Sequence, residues 1–318
     1  DVVLSVGSRL QDFTTGSNGL IKGQVLSLNV QLHDAIKHDA ITIVGDALVG
    51  LEALGHALVG HHTSDAYQQE YATLKREWDA AVDAVTGKPE GNALPSDSAV
   101  IGAVNRNVPG TAIAVGAAGS MPGELHKLWR TGAVDGYHME YGFSCMGYEV
   151  SAAIGVHMAS PDRPNVVFAG DGSYLMMNSE LATAVMMGVS MTLVVTDNRG
   201  YGCINRLQVA TGGAPFNNLL ADAHHEILPE IDFAAHAASL GARSQKVSSL
   251  DELEEVVLAA SGRAGVDVIV IDTDPGPSTE AGGVWWDVAV PAVSDRAAVG
   301  SAYQNYVQGR KRQEKGDK

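Results

Sequence analysis

The sequence predicts an α/β protein built from two doubly wound parallel-sheet domains, and three observations support this class. Short runs of aliphatic and β-branched residues, such as residues 166–169 and 191–196, alternate with segments long enough for helices. These runs stop at glycine, aspartate or asparagine, which is typical of the ends of buried parallel strands. At 318 residues, the chain is also long enough for two domains with separate cores.

The first part of the chain predicts a partial parallel sheet followed by a linker. We predict strands at residues 2–7, 25–30 and 40–44, and helices at residues 46–61 and 67–85. Residues 86–95 are rich in glycine and proline, which is typical of a connection between domains. We therefore place a first domain at residues 1–85 and a linker at residues 86–95.

Residues 96–276 predict a complete second domain. Ser96 or Asp97 can cap its first helix, Asn178 or Ser179 can cap a later one, and Gly188 can end that helix. The predicted strands are residues 111–115, 166–169, 191–196 and 266–271; the predicted helices are residues 97–107, 123–130, 151–158, 180–187, 232–240 and 250–260. Residues 201–208 predict a loop or a helix.

Residues 277–318 form a C-terminal arm in this interpretation. Its two tryptophans, Trp285 and Trp286, lie in an apolar stretch. They favour packing on a partner or on the protein's own surface over stacking on a substrate.

Polar side chains follow two neighbouring predicted strands. Asp171 follows residues 166–169, and Asn198 follows residues 191–196. A right-handed crossover brings the carboxyl ends of both strands to one edge of the sheet, where open α/β proteins bind ligands. The carboxylate, the amide oxygen and backbone carbonyls near Gly200 are oxygen ligands suited to Mg²⁺ or Ca²⁺. An isolated Gly-Asp-Gly is more often a simple turn, but its pairing with Asn198 favours a site.

Two glycine-containing loops are candidates for binding phosphate. Gly170, Gly172 and Ser173 offer backbone N–H groups and a hydroxyl close to Asp171. Gly119 and Ser120 lie in a second such loop, which is equally compatible with an ordinary turn before a helix.

Composition excludes several classes of function. Lys and Arg total 21 against 37 Asp and Glu, so the net charge of −16 argues against a nucleic-acid-binding surface. The two cysteines, Cys145 and Cys203, lack metal-ligand spacing and suggest no disulfide framework, which fits a reducing cytoplasm. Charged residues interrupt the longest apolar stretch, residues 40–59, and no signal peptide is visible.

Gly170-Asp171-Gly172, followed after 25 residues by Asn198, resembles the cofactor motif of the thiamine diphosphate enzymes, a superfamily that includes decarboxylases and acetolactate synthase. The usual motif ends in two asparagines, whereas Asp197 precedes Asn198 here. The resemblance implies a Mg²⁺ ion held by the side chains of Asp171 and Asn198 and the carbonyl of Gly200. The cofactor diphosphate and a water would complete the octahedron.

The resemblance also assigns roles outside the metal site. The residue at the place of Met146 would bend the cofactor, and backbone near Ser144 and Met146 would grip its aminopyrimidine ring. Bending places an intramolecular base beside the reactive carbon. By residue type alone, Met146 would fit an ordinary core position. Residues 1–85 resemble the latter half of the superfamily's central, cofactor-free domain.

Several stretches together are similar to one branch of the superfamily, the trihydroxycyclohexane-1,2-dione hydrolases of inositol catabolism. They are residues 118–129, 170–178, 197–208, 216–219 and 283–287. The branch implies a cytoplasmic homo-oligomer that uses nucleophilic cofactor catalysis to open a cyclic polyol diketone to 5-deoxyglucuronate. His138, Glu140 and Arg206 are candidates to contact that substrate, although each is also compatible with a surface or helix-end role.

Two alternatives remain open from the sequence: an acetolactate synthase-like carboligase or decarboxylase, and a non-catalytic phosphate-binding assembly subunit. The chain begins at Asp1 within an apolar run, and nothing in it matches the superfamily's N-terminal pyrimidine-binding domain. We therefore expect the activating glutamate to lie upstream, in the same or a neighbouring subunit. On this expectation the 318-residue chain alone is inactive, and its own catalytic residues are unknown.

Overall fold

The computed structural model describes residues 2–89, 91, 93–140, 142–280, 282 and 286–313. Contacts divide the chain into two compact units. Unit 1 comprises residues 1–76, 211–213 and 283–318, and unit 2 comprises residues 77–210 and 214–282. The domain boundaries given above stay predictions, and residues 90 and 92 of the predicted linker, like Trp285, lie outside the described residues.

Unit 1 contains a three-stranded parallel sheet in the order β1-β2-β3. Its strands are β1 (Val2–Val6), β2 (Gln24–Asn29) and β3 (Ile41–Val44). Its first helices are α1 (Asp12–Thr15), α2 (Leu32–Ala35) and α3 (Ala47–Ala57), and α4 (Asp65–Thr86) continues into unit 2. Asp46 caps α3 by accepting the N–H of Val49. The α1 and α2 turns were absent from the sequence-based prediction.

Unit 2 contains a six-stranded, all-parallel sheet in the order β5-β4-β6-β7-β9-β8. Its strands are β4 (Ile113–Gly116), β5 (Tyr137–Met139), β6 (Asn165–Gly170), β7 (Met191–Asp197), β8 (Arg243–Val247) and β9 (Val266–Asp272). Parallel sheets with alternating helices confirm the predicted α/β class.

Helices cover both faces of this sheet. They are α5 (Asp97–Asn107), α6 (Ser120–Leu128), α7 (Tyr148–Ala159), α8 (Asp171–Met177), α9 (Glu180–Met186), α10 (Gly202–Ala210), α11 (Phe233–Ser239) and α12 (Leu250–Ser261). One core joins the sheet to α7, α9 and α11, and the other joins it to α5, α6 and α12. This two-sided burial explains why β6 and β7 are almost continuously apolar.

The last helix, α13 (Ala297–Gln313), belongs to unit 1 and was not predicted. In the same arm, Trp286 packs edge-on against Phe13 and donates its indole N–H to Asp12. This contact lies within unit 1 and fits packing on the protein's own surface. No helix among the described residues is long and apolar enough to cross a membrane.

One predicted boundary is wrong. The helix after β6 was expected to begin at Asn178 or Ser179, with residues 170–177 as a loop. Instead α8 begins directly at Asp171, and a break at residues 178–179 separates it from α9. The N–H of Leu181 bonds back to the carbonyl of Asn178, which continues the chain across this break. Asn178 is therefore the C-cap of α8, whereas the predicted helix is present as α9, which begins at Glu180 with Ser179 as its N-cap residue.

Helix α5 approaches the end of α4 very closely at Gly102. A Cβ atom at this position would lie 2.3 Å from the carbonyl oxygen of Thr86 and 2.5 Å from its Cβ. Because these atoms are the carbonyl oxygen and the Cβ of the last residue of α4, rotation of a side chain cannot remove either obstacle. Gly155 on α7 differs, because a Cβ there would meet no atom within 4 Å.

We predict that Gly102→Ala lowers the free energy of unfolding by about 1–3 kcal/mol through overpacking. The control Gly155→Ala should be neutral or stabilising by up to about 1 kcal/mol, because alanine has the higher helix propensity. Urea denaturation followed by circular dichroism measures both changes. Equal stabilisation by the two substitutions would contradict the close α4–α5 contact.

A buried carboxyl group lies in the first turn of α5. Asp97 is 5% exposed, and its Oδ1 atom has no hydrogen-bond partner among the described residues. Burial raises the pKa of Asp97 to about 6; Arg206 opposes this rise, and the nearby carboxylates of Glu124 and Asp171 add to it. An ionised Asp97 therefore destabilises the folded state at neutral pH.

The pH dependence follows from the sign of that shift. Because the folded pKa of about 6 lies above the unfolded value of 3.8, the stabilising contribution of protonated Asp97 is complete below pH 3.8 and is lost as pH rises through 6. We predict that the free energy of unfolding of Asp97→Asn at pH 8 exceeds that of the wild type by at most about 3 kcal/mol. This difference should shrink towards pH 4. Denaturant titrations from pH 4 to 8 test this, with the exposed Asp162→Asn as control. If the difference in free energy of unfolding between Asp97→Asn and the wild type stayed constant from pH 4 to 8, Asp97 would not titrate as described.

Candidate functional site

The predicted site residues gather at the carboxyl ends of β6 and β7. These strands pair directly, with Gly170 opposite Thr196, so Asp171 and Asn198 follow at adjacent positions on the sheet edge. Each is only 7% exposed. The topology thus places both side chains at the crossover predicted from the sequence.

The carboxylate of Asp171 links the two strand ends. Its Oδ2 atom accepts the N–H of Gly200 at 2.8 Å. Burial raises the pKa of Asp171 to about 6; the N–H groups of Gly172 and Gly200 oppose this, and the neighbouring Asp197 carboxyl adds to it. Asp197 occupies the position where the family motif usually has asparagine. The aspartate at this position therefore places a second carboxyl group beside that of Asp171.

Asn198 presents an oxygen without a protein partner. Its Oδ1 atom is buried and accepts no hydrogen bond from the described residues. Buried polar atoms of this kind are rare, and they often indicate a missing water or ion. A Cβ added to Gly202 would lie 3.2 Å from the Nδ2 atom of Asn198 and 3.4 Å from the Oγ atom of Ser120. Ser120 and Asn198 therefore approach the same point from different strand ends.

The loop after β4 brings Gly119 and Ser120 to this edge of the sheet. Gly119 has φ 110°, a conformation that favours glycine, and its added Cβ would meet no atom. Ser120 begins the nine-residue helix α6, whose first N–H groups lack intrahelical acceptors. The arrangement offers donors to an anion at the mouth of the site.

The start of α8 contributes Gly172 and Ser173. A Cβ on Gly172 would lie 2.7 Å from the Tyr201 ring, so a larger residue here would displace that side chain. The Ser173 hydroxyl donates to the carboxylate of Glu149 at 2.6 Å and accepts the N–H of Gly147 at 2.8 Å. Its proton is thus directed into the protein. Only the backbone of Ser173, or the remaining lone pair of its hydroxyl, is available to a ligand.

The loop that carries Ser144 and Met146 is held by Glu140. The Glu140 carboxylate accepts the N–H groups of Cys145 at 3.0 Å and Phe143 at 2.7 Å. These backbone bonds lower the pKa of Glu140 and keep it ionised. Ser144 has φ 52° and is exposed, while Met146 is half-buried.

The three side chains proposed to contact a substrate are all engaged with protein groups. His138 lies 2.9 Å from the Tyr148 hydroxyl, and Glu140 binds its own loop. Arg206 donates to the carbonyl of Pro275 at 2.7 Å. These contacts give each residue a structural task, and their proximity to a substrate stays a prediction.

Sequence reasoning missed Glu149, a carboxylate that is 1% exposed in the first turn of α7. Its only sequence signal was an acidic residue next to an apolar helix, which is equally typical of a helix N-terminus.

The described residues contain no cluster of three or more His, Cys, Asp and Glu side chains that could hold a metal ion. The predicted site is of another kind, because it uses one carboxylate, one amide oxygen and one backbone carbonyl. A cavity of about 560 Å³ opens nearby between Asp197, Lys246 and α11. Neither Asp171 nor Asn198 lines it, so we place the candidate site at the strand ends and not in this cavity.

Residues 117–272 match the family "Thiamine pyrophosphate enzyme, C-terminal TPP binding domain". The chain is 35% identical to the 3D-(3,5/4)-trihydroxycyclohexane-1,2-dione hydrolase of Geobacillus thermodenitrificans over 96% of its own length and 52% of the relative. The enzymes of the same name from Clostridium tetani and Bacillus cereus are 33% and 34% identical, each over 96% of this chain and 53% of the relative. The chain thus spans about half the length of the curated relatives it matches.

A solved structure supports the fold. The thiamine diphosphate-dependent 4-hydroxybenzoylformate decarboxylase of Rhodococcus jostii RHA1 superposes with a TM-score of 0.64 over 86% of this chain and 49% of that one, at 17% identity. The family match contains α6, α8 and β7, the elements that carry the candidate site. Residues 117–272 therefore belong to the C-terminal TPP-binding domain family of thiamine pyrophosphate enzymes, and the chain has trihydroxycyclohexanedione hydrolases among its relatives.

Proposed function

We propose that the chain is the cofactor-binding part of a hydrolase that uses thiamine diphosphate and Mg²⁺ to cleave a C–C bond in trihydroxycyclohexane-1,2-dione. The product would be 5-deoxyglucuronate, within inositol catabolism. The observation that carries the proposal is the pair of buried oxygen donors, Asp171 and Asn198, at adjacent strand ends of a thiamine pyrophosphate-binding domain. The relatives' name supplies the cyclic dione and the hydrolysis, and the family resemblance of the sequence supplies the bond that is cleaved and the product.

The donor set fits a magnesium ion. The buried Asp171 carboxyl has another carboxyl, Asp197, beside it, and the Asn198 Oδ1 atom has no partner among the described residues. A cation between these groups would relieve the repulsion and satisfy the amide oxygen. The Gly200 carbonyl would be the third protein ligand. Mg²⁺ would retain free positions for two diphosphate oxygens and a water.

Two chain segments would hold the diphosphate itself. The backbone of Gly170, Gly172 and Ser173 would approach it from the β6 end, and Gly119 and Ser120 from the β4 end. The lack of a side chain at Gly119 leaves the space open, because an added Cβ would have no neighbour within 4 Å. Ser173 would act through its backbone, since its hydroxyl proton is bonded to Glu149.

When bound, the cofactor supplies a nucleophilic carbon and an electron sink for cleavage next to a ketone. The protein's task is then to orient, and Glu140 does this by fixing the loop that presents Ser144 and Met146. The half-buried Met146 would press on the middle of the cofactor, while the loop backbone would hold its pyrimidine side. His138 lies on β5 of the same sheet and would face the substrate side.

The wider assembly is part of the same proposal. A pyrimidine-binding domain, from the same or a neighbouring subunit, would supply the activating glutamate in a cytoplasmic homo-oligomer. Relatives of about twice this length are consistent with that arrangement. An acetolactate synthase-like carboligase is the alternative; the decarboxylase neighbour, at 17% identity, supports only the shared fold.

Substrate turnover by a chimera separates the enzymatic alternatives. In the chimera, the N-terminal half of a hydrolase relative would precede Asp1. It should consume the cyclic diketone with release of an acid and should leave pyruvate unchanged. Turnover of pyruvate alone would overturn the hydrolase proposal, and no cofactor binding at all would favour a non-catalytic assembly subunit.

We predict that Asp171→Ala weakens Mg²⁺-dependent binding of thiamine diphosphate by at least about 100-fold, because the variant loses the only charged ligand among the three protein ligands. Asn198→Ala should weaken binding less, by about 10-fold, since it removes a neutral oxygen. Isothermal titration calorimetry at limiting Mg²⁺ measures both effects. The control Asp162→Ala removes an exposed carboxylate just before β6, at the opposite end of that strand. Unchanged affinity in Asp171→Ala, or affinity that needs no metal, would contradict the site.

We predict that Met146→Ala in the same chimera lowers kcat by about 10- to 100-fold and changes the cofactor Kd by less than about 3-fold. The reason is that Met146 orients the cofactor without anchoring its diphosphate. Met158→Ala, which changes a 67% exposed methionine on α7, is the matched control. If Met146→Ala turned over substrate as fast as the control, Met146 would be an ordinary packing residue.

A further inference from the structure

Glu149 is the most completely buried acidic side chain of unit 2 among the described residues, at 1% exposure. It lies in the first turn of α7, three residues after Met146. Burial raises the pKa of its carboxyl group, while hydrogen bonds from Ser173 and from backbone N–H groups oppose the rise. A buried carboxylate is retained at such a cost only where several donors surround it.

Those donors come from three separate segments of the chain. The Ser173 hydroxyl, at the start of α8, donates to Oε1 at 2.6 Å. The N–H of Ala118, in the loop after β4, and the N–H of Gly147, in the loop before α7, also lower the pKa of the carboxyl group. Gly147 is tied in a second way, because its N–H bonds the Ser173 hydroxyl at 2.8 Å.

Each of these segments carries part of the candidate cofactor site. Ala118 precedes Gly119 and Ser120, Gly147 follows Met146, and Ser173 follows Asp171 and Gly172. Packing holds the same junction: Gly147 has φ 88°, and a Cβ there would lie 2.7 Å from Cγ of Met177 on α8. One carboxylate therefore connects the three loops that would surround a diphosphate cofactor.

We infer that Glu149 is a positioning residue, which fixes the 117–120, 144–147 and 170–173 loops in the arrangement that receives the cofactor before it binds. The part of this inference that concerns the cofactor rests on the proposed function. The loop arrangement itself does not, because all of the contacts are within the ligand-free protein. Glu149 would touch neither substrate nor cofactor.

The conservative substitution Glu149→Gln isolates this role. Glutamine has nearly the same shape and can still accept the Ser173 proton through its carbonyl oxygen. Its amide group, however, replaces the negative charge that the N–H groups of Ala118 and Gly147 stabilise with a neutral group that carries donors of its own. Glu124→Gln is a matched control, because Glu124 is 5% exposed and accepts from the Ser98 hydroxyl and the Thr279 N–H, outside the three loops.

Hydrogen exchange on the ligand-free 318-residue chain tests the positioning directly. In Glu149→Gln, we expect exchange to accelerate by about tenfold or more at amides of the three loops, with the rest of unit 2 unchanged. Glu124→Gln should instead accelerate exchange near Ser98 and Thr279. Unchanged protection in the loops would overturn the inference. Faster exchange throughout unit 2 with a lowered Tm would also overturn it, since Glu149 would then serve global stability.

Calorimetry with thiamine diphosphate and saturating Mg²⁺ tests the consequence for binding. We expect Glu149→Gln to raise the cofactor Kd by about 10- to 100-fold, as loss of an outer-shell partner does at metal sites. Ser173→Ala should raise it too, and the double variant should lose less than the product of the two effects, because both changes break one linkage. A Kd equal to that of the wild type, or fully multiplicative effects, would contradict positioning through Ser173.

The two proposals fail in different ways. If the wild-type chain binds no thiamine diphosphate at saturating Mg²⁺, the proposed function fails, while the exchange experiment still decides whether Glu149 holds the loops. If the wild type binds and Glu149→Gln binds equally well, the proposed function stands and the positioning role is overturned.

Discussion

The structure of unit 2 depends on one constraint, the parallel pairing of β6 with β7 across a right-handed crossover. This pairing sets Gly170 opposite Thr196, so the residues after each strand emerge side by side. The N–H of Gly200 then reaches the Asp171 carboxylate across the gap between them. Because both strands are buried on two faces, their register cannot slip without moving apolar side chains out of both cores. A stable core thereby fixes the geometry of polar groups at its edge.

The electrostatics of that edge are unfavourable without a ligand. Asp171 and Asp97 are both buried with pKa values of about 6, and the Asp197 carboxyl lies beside Asp171. In a chain with a net charge of −16, such a group of acids is not offset by long-range attraction. Functional sites commonly hold destabilised groups of this kind, which surrounding structure keeps in place. Binding of a cation would turn the same repulsion into affinity.

Much of the fold could be predicted because periodicity and buried strands dominate the sequence. The central strands were identified to within two residues, since their apolar runs reflect burial on both faces. β5 and β8 were missed for the opposite reason: they are edge strands, and the Arg-Ser-Gln-Lys-Val sequence of β8 carries little apolar signal. The start of α8 was misjudged because Gly-Asp-Gly resembles a loop, and sheet-end geometry overrides glycine's low helix propensity there.

Some residues of the candidate site could also be predicted from the sequence, and others could not. Asp171 and Asn198 could be found because each follows a recognisable strand, so topology alone brings them together. Glu149 could not, because its importance arises from contacts with Ala118, Gly147 and Ser173, which lie up to 31 residues from it in the sequence. The role of Glu140 could not be predicted either, because the turn that folds residues 142–145 back onto its carboxylate leaves no periodic pattern in the sequence.

The loop held by Glu140 also carries an exposed thiol group that reagents can modify. Cys145 is exposed, whereas Cys203, the only other cysteine of the chain, is partly buried and has a pKa raised by burial. Thiol reagents act on the thiolate, so at mildly alkaline pH they should modify Cys145 first. A fluorophore attached there would lie one residue from Met146 without an engineered cysteine. A label on this native cysteine can therefore report movements of the loop through the emission of the attached fluorophore.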